Sequence, residues 1–363
     1  MNMKKVLAQQ MVCVSALLLS TMSGVLLGAN RTIITVASTV PANGDLNPYG
    51  VALVPVTMGN LVAGHILVSN FNNSANLQGT GTTIVDIAPS GSASLFAQIN
   101  PSTLPSACPG GVGLTTALVV LKAGFVIVGS LPTTDGTSAT AQSGCLLILD
   151  SHGTVVGTYF NAMINGPWDM TAMDNGTTAS LFVTNVLNGT VAGNGSVVDE
   201  GTVVRINLSI PANTPPAVQS ITIIGSGFPE RSDPDALVIG PTGVGLGQDG
   251  ILYVADSLSN RIAAIPHAIN RPGSAGLGTT VSTSSSLSDP LGLTVQGTNI
   301  YTVNGNNGLL LQSNTDGQLL GQRLLDGRGM PPGAGALFGL ATAVRGLYFV
   351  DDVTNTLNLL PNN

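Results

Sequence analysis

A two-part unit recurs six times along this 363-residue chain, and that repetition limits what the chain can fold into more than any single residue does. The first part is a tight turn leading into a short apolar strand. Its copies are Pro48-Tyr49-Gly50-Val51, Gly111-Val112-Gly113-Leu114, Pro167-Trp168-Asp169-Met170, Pro241-Thr242-Gly243-Val244, Pro290-Leu291-Gly292-Leu293 and Leu337-Phe338-Gly339-Leu340. The second part is a β-branched or aromatic strand ending at Asn70, Gly129, Asn185, Asp256, Asn304 or Asp351. Successive copies lie 47 to 74 residues apart, enough for four short strands with turns between them. A lone sheet of this kind leaves both faces apolar, so it must stack on its neighbours, and radial stacking closes into a ring. The expected fold is therefore all-β: a six-bladed β-propeller of four-stranded antiparallel blades. The last unit, Ala336 to Leu360, has room for only three strands, while Thr32 to Ser38 is a strand without a partner. Pairing this N-terminal strand with the last blade is expected to close the ring.

Composition narrows the class further. Charged residues make up 8% of the chain, hydrophobic ones 44%, and mean hydropathy is +0.40. Disordered chains combine low hydrophobicity with high charge, so this one has the apolar content for a large core instead. With 11 basic against 18 acidic residues it lacks the positive surface that nucleic-acid backbones require. Lys4 and Lys5 precede a stretch without charge up to Arg31, apolar or small from Val12 to Ala29. This is the layout of a secretory signal peptide over residues 1–29, cleaved after Ala29 or retained as an anchor. Residues 30–363 then form one domain, expected to be secreted, periplasmic or at the cell surface, monomeric, and without a further membrane span. Removing the leader removes Cys13. Cys108 and Cys145 remain, either as two buried thiols or, as expected in an oxidising compartment, as a disulfide.

Aligning the six turns places Tyr49, Val112, Trp168, Thr242, Leu291 and Phe338 in one slot, facing the channel of a propeller. Half are aromatic in a chain with only 4% aromatic residues. The next slot reads Gly50, Gly113, Asp169, Gly243, Gly292 and Gly339, with one carboxylate among glycines. Two readings stay open: the aromatics pack together at the channel mouth, or Tyr49, Trp168, Asp169 and Phe338 form a platform for a sugar or other small amphipathic ligand. The polar residues at the strand ends are expected to bond their own turns, and to form a calcium site only if they converge. His65, His152 and His267 lack metal-ligand spacing. The charge pair Asp199 and Glu200 and the cluster Glu230, Arg231, Asp233 and Asp235 are expected on solvent-facing loops.

The Pro-x-Gly-apolar turn followed by a strand of the type Ile251-Leu252-Tyr253-Val254-Ala255-Asp256, with Asn260-Arg261-Ile262 after it, resembles NHL-repeat propellers. The resemblance implies the fold and is nearly silent on chemistry, because such rings serve as scaffolds, binding platforms and enzymes. The ring is also similar in blade number to propellers of the gluconolactonase type, which implies a divalent metal held in the channel by carboxylate and Asn side chains. The mostly apolar slot departs from that pattern. Two functional expectations result. One is an exported, cofactor-free binding or scaffold protein that engages a protein or glycan through one loop face. The alternative is a metal-dependent hydrolase or lyase acting in the channel, with Asp169 as ligand or base and a divalent metal such as calcium.

Overall fold

The computed structural model describes residues 31–362 apart from positions 213 and 332, so the expected leader over 1–29 lies outside the described residues. Six antiparallel sheets form the six blades of a propeller. Their innermost strands are, in order, Leu46–Leu53, Leu114–Val120, Pro167–Asp174, Pro241–Leu246, Pro290–Gln296 and Leu337–Ala343. Each lies against the next, and the sixth lies against the first, so the ring is closed.

The burial pattern explains why the strands read as continuous apolar runs. Second strands such as Ile66–Asn72 and Leu252–Asp256 are buried at every position, because a neighbouring blade covers each face. The outer strand Leu319–Leu324 alternates between half-buried and exposed, as an edge facing water should. Apolar clusters fill the spaces between blades. Leu67 and Ile84 of the first blade meet Leu114, Val128 and Leu147 of the second, and comparable clusters separate the blades that follow.

The ring closes as the sequence predicts. Ile34–Ser38 pairs antiparallel with Thr356–Pro361, placing Ile34 opposite Leu359 and Ser38 opposite Thr356, and completes the sixth blade as its outer strand. Five sheets have four strands. The third has five, because its fourth strand, Ala217–Asp233, runs on into a hairpin with Leu237–Ile239. That hairpin carries the cluster expected on a solvent-facing loop, and Glu230 at its base is fully buried.

Every inner strand carries a β-bulge where the turn motif lies, and these bulges correct the alignment of the second blade. In blade three, Pro167 faces Asn185 and Met170 faces Val183, with Trp168 and Asp169 between them. In blade two the equivalent span runs from Leu114, opposite Ser130, to Leu118, opposite Val128. The residues occupying the bulge are thus Thr115, Thr116 and Ala117, and the strand ends at Ser130. Val112 and Gly113 lie outside this strand, and Gly129 is one position short of its end. One extra residue in this bulge hides the match from a fixed-spacing comparison.

Cys108 and Cys145 form a disulfide with their Cα atoms 5.4 Å apart, tying the loop before the second blade to that blade's third strand. Such bonds persist in oxidising compartments. Among the described residues no helix is long and apolar enough to cross a membrane. The bridge spans 37 residues, and on the chain-entropy model a loop of that length contributes about 3–4 kcal/mol. The double variant Cys108→Ser, Cys145→Ser is expected to lose about this much in urea denaturation, and reductant should affect only the wild type. Equal midpoints for the two proteins would contradict it. Deleting Ile34–Ser38 is expected to lower the thermal midpoint by roughly 5 °C or more, because it strips the partner from Thr356–Pro361 and leaves a raw edge. An unchanged midpoint would show that the end-to-end pairing does not hold the ring.

Candidate functional site

Where six backbones meet at one axis, space is the first constraint. A Cβ on Gly339 would stand 2.1 Å from the carbonyl oxygen of Tyr49, one on Gly292 would stand 1.8 Å from that of Phe338, and one on Gly243 would stand 2.2 Å from that of Leu291. The glycine of each of these turns therefore exists to let the next inner strand approach. The residues Tyr49, Leu291 and Phe338 before three of these glycines join one apolar cluster with Trp168. Tyr49 and Phe338 stack with ring centroids 3.9 Å apart, and Trp168 lies tilted at 6.5 Å from Tyr49 and 6.3 Å from Phe338. The aligned aromatics do converge. They form a plug, however, not an open platform: Tyr49, Trp168 and Phe338 are 2%, 4% and 0% exposed, and their faces are spent on one another. Phe71 adds a fourth ring, stacked on Tyr49 at 4.5 Å.

The hairpin of the third blade seals one side of this plug. Ala236, Leu237, Val238 and Ile239 join the same apolar cluster as the rings. Trp168 Nε1 donates to the Val238 carbonyl at 3.0 Å, and Gln78 Nε2 donates to the Pro234 carbonyl at 2.7 Å, fastening the hairpin tip to the first blade. The apolar run Ala236 to Ile239 was the available signal in the sequence, but it recurs in no other blade. Arg231 pairs with Asp233 on the same hairpin at 3.1 Å.

Beyond the plug, the channel is open toward the C-terminal ends of the inner strands. A cavity of about 330 Å³ lies there, walled by Val51, Leu118, Val244, Leu293, Leu340 and the hydroxyl-bearing Thr116, Thr171, Thr294 and Thr342. Lys122 and Asp174 stand at its mouth and Asp169 at its inner end. Asp174 is occupied by its surroundings, since the Lys122 and Gly176 amides both donate to its carboxylate.

Asp169 replaces the glycine of the third turn and links two blades. Its Oδ1 accepts from the Met170 amide at 2.8 Å and its Oδ2 from the Val244 amide of the fourth blade at 3.0 Å, while its own amide donates to Thr184 Oγ1. Burial pushes its carboxyl up to about 8, against the pull of the two amides. The side chain is thus a largely neutral acid at neutral pH, placed at the inner end of the cavity.

The residues here do not fit a divalent metal. Both Asp169 oxygens are engaged by backbone amides, and a catalytic metal normally takes about three protein ligands. Among the described residues no group of three or more His, Cys, Asp or Glu side chains could hold a metal ion. The strand-end residues do not converge either. Asn70 bonds the Thr39 carbonyl and Thr83, Asp256 pairs with Arg261 at 2.7 Å, Asn304 bonds the Ser286 carbonyl and Asn307, and Asp351 accepts from the Thr354 amide. His65 is held by Asp86 at 2.9 Å, while His152 and His267 are exposed.

No family model and no curated protein matches the chain. Solved structures do. Virginiamycin B lyase from Staphylococcus aureus is 12% identical, with 92% of this chain and 99% of that one aligned at a TM-score of 0.52. The PQQ-bound aldose sugar dehydrogenase of Streptomyces coelicolor is 13% identical over 91% and 98%, also at 0.52. The calcium-binding protein regucalcin of Agrobacterium tumefaciens is 12% identical over 90% and 94%, at 0.53. At such identities the likeness establishes the propeller fold, and leaves the NHL resemblance at that level.

The raised Asp169 carboxyl has a consequence for stability. Well below pH 4 the group is neutral in folded and unfolded chains alike. As pH rises from about 4 to about 8 only the unfolded chain releases the proton, so stability falls through that window, by up to an order of 5 kcal/mol for this group. Burial raises Glu230 to about 8, Asp289 to about 7 and Asp352 to about 8, and these act in the same direction. Asp169→Asn is expected to flatten part of the decline between pH 5 and pH 9. It should also cost about 1–3 kcal/mol at pH 5, because one backbone amide then faces an NH₂ group. Parallel pH slopes for the two proteins in urea denaturation would exclude this account of Asp169.

Proposed function

We propose that this chain is an exported propeller of one domain, monomeric, that takes a small uncharged ligand with hydrogen-bonding groups into its central channel. The observation that carries the reading is a buried carboxyl, raised by that burial to about 8, at the blind end of a hydroxyl-lined cavity of about 330 Å³. Such a group donates one strong hydrogen bond without presenting charge. The disulfide supports export. The excess of acidic over basic residues speaks against a nucleic-acid partner. A glycan end or a single sugar fits the channel, whereas a protein partner would have to present one side chain to it.

A second reading, a hydrolase or lyase, is favoured by the same carboxyl, because a group titrating near 8 can both give and take a proton at neutral pH. It is also favoured by the enzymes among the solved relatives, a lyase and a sugar dehydrogenase. In this reading Asp169 is the acid–base residue of a reaction that uses no bound metal.

Trp168 is the sole tryptophan of the chain and adjoins Asp169 at the cavity's end, so its emission reports on the site. Ligands from a panel of sugars and lactones are expected to shift that emission, and Asp169→Ala to weaken them at least tenfold. Turnover lost in Asp169→Asn and insensitive to chelator would select the second reading. Ligands that bind wild type and Asp169→Ala alike would reject both.

A further inference from the structure

The channel mouth is not bordered by polar turns alone. Turn tips are normally built from Gly, Asn, Asp, Pro or Ser, which suit the backbone and face water. The turn after the sixth inner strand instead carries Val344, 82% exposed. It stands beside a second cavity, of about 260 Å³, lined by Leu53, Leu246, Val295, Ala343 and Val344 at the C-terminal ends of four inner strands. Leu53 and Thr342 line both this groove and the channel cavity, so the two spaces adjoin. Asp169 lies five residues inward of Asp174 on one strand, which at about 3.3 Å per residue sets the mouth roughly 16 Å from the blind end. One elongated molecule can thus reach the Asp169 carboxyl with one end and the apolar groove with the other.

We infer that the channel ligand is amphipathic: a hydroxyl-rich, uncharged head inside the channel and an aliphatic or aryl tail laid along the groove between Leu53, Leu246, Val295 and Val344. This rests on the channel reading above and adds the tail subsite to it. The wall that the two cavities share, Leu53 and Thr342, argues for the tail of the same ligand over any separate occupant. A fully buried methylene is worth about 0.8 kcal/mol, close to fourfold in affinity. The groove covers a tail on one side, so about twofold per methylene is expected.

The test is a homologous series of alkyl β-glucosides, methyl to octyl, each below its micelle concentration, titrated by calorimetry and by Trp168 emission. Affinity is expected to rise about a hundredfold from the methyl to the octyl member, which adds seven methylenes. Val344→Asp, a change at an exposed turn tip, should abolish the rise while leaving methyl glucoside binding as it was. Affinity independent of chain length, a rise that survives Val344→Asp, or no binding by any member would overturn the inference. If the chain-length effect holds but Asp169→Ala leaves every member's affinity and the Trp168 signal unchanged, the channel reading fails while the groove stands. A wild-type dimer that Val344→Asp dissolves would assign the groove to a second copy of the chain and overturn the tail subsite.

Discussion

Six backbones can converge on a common axis only if something yields where they meet, and in this ring it is the missing side chain of glycine. Gly243, Gly292 and Gly339 let a neighbour's carbonyl oxygen occupy the place of a Cβ. The approach fixes how far each blade leans inward, and the bulge in each inner strand turns the preceding residue to the axis. The interblade clusters and the plug of rings both follow from that spacing. Blade three departs from it, carrying Asp169 where the first, fourth, fifth and sixth blades carry glycine. The carboxyl is accommodated because it bonds the Val244 amide across the junction, so one substitution both mends the contact between two blades and places an acid in the channel.

Scarcity of charge gives this acid its character. With charged residues at 8% of the chain, few counter-ions are available inside the ring, and a buried carboxyl without one is pushed toward its neutral form. Asp169, Glu230 and Asp352 are all raised by burial more than by any partner. Asp256, by contrast, has Arg261 at 2.7 Å, and that partner opposes the effect of its burial. The raised carboxyl in the channel is therefore part of a wider habit of the fold, made noticeable by the cavity in front of it.

The ring was legible because repetition is a long-range signal. Blade number, the pairing of Ile34–Ser38 with the C-terminal strand and the shared slot of Tyr49, Trp168 and Phe338 can be read from spacing and residue type, and the Cys108–Cys145 bridge was expected from the compartment that the leader implies. What escaped is what breaks the repeat. Thr115 and Thr116 were missed because an extra residue shifts the second bulge. The hairpin over the plug was missed because Ala236 to Ile239 has no counterpart in the other blades. A slot in a repeat also reports the direction of a side chain, not whether the space before it is empty, and so the rings could not be known in advance to close on one another. The groove beside Val344 was invisible because it is assembled from the ends of four strands far apart in the chain.

The hairpin that ties Trp168 to Val238 turns the axial passage from a tunnel into a well. A molecule that goes in must come out by the same rim, and the water it displaces has to pass it in the opposite direction. Exchange is then governed by the width of one opening, and side chains at that rim set residence time even where they contribute little to affinity.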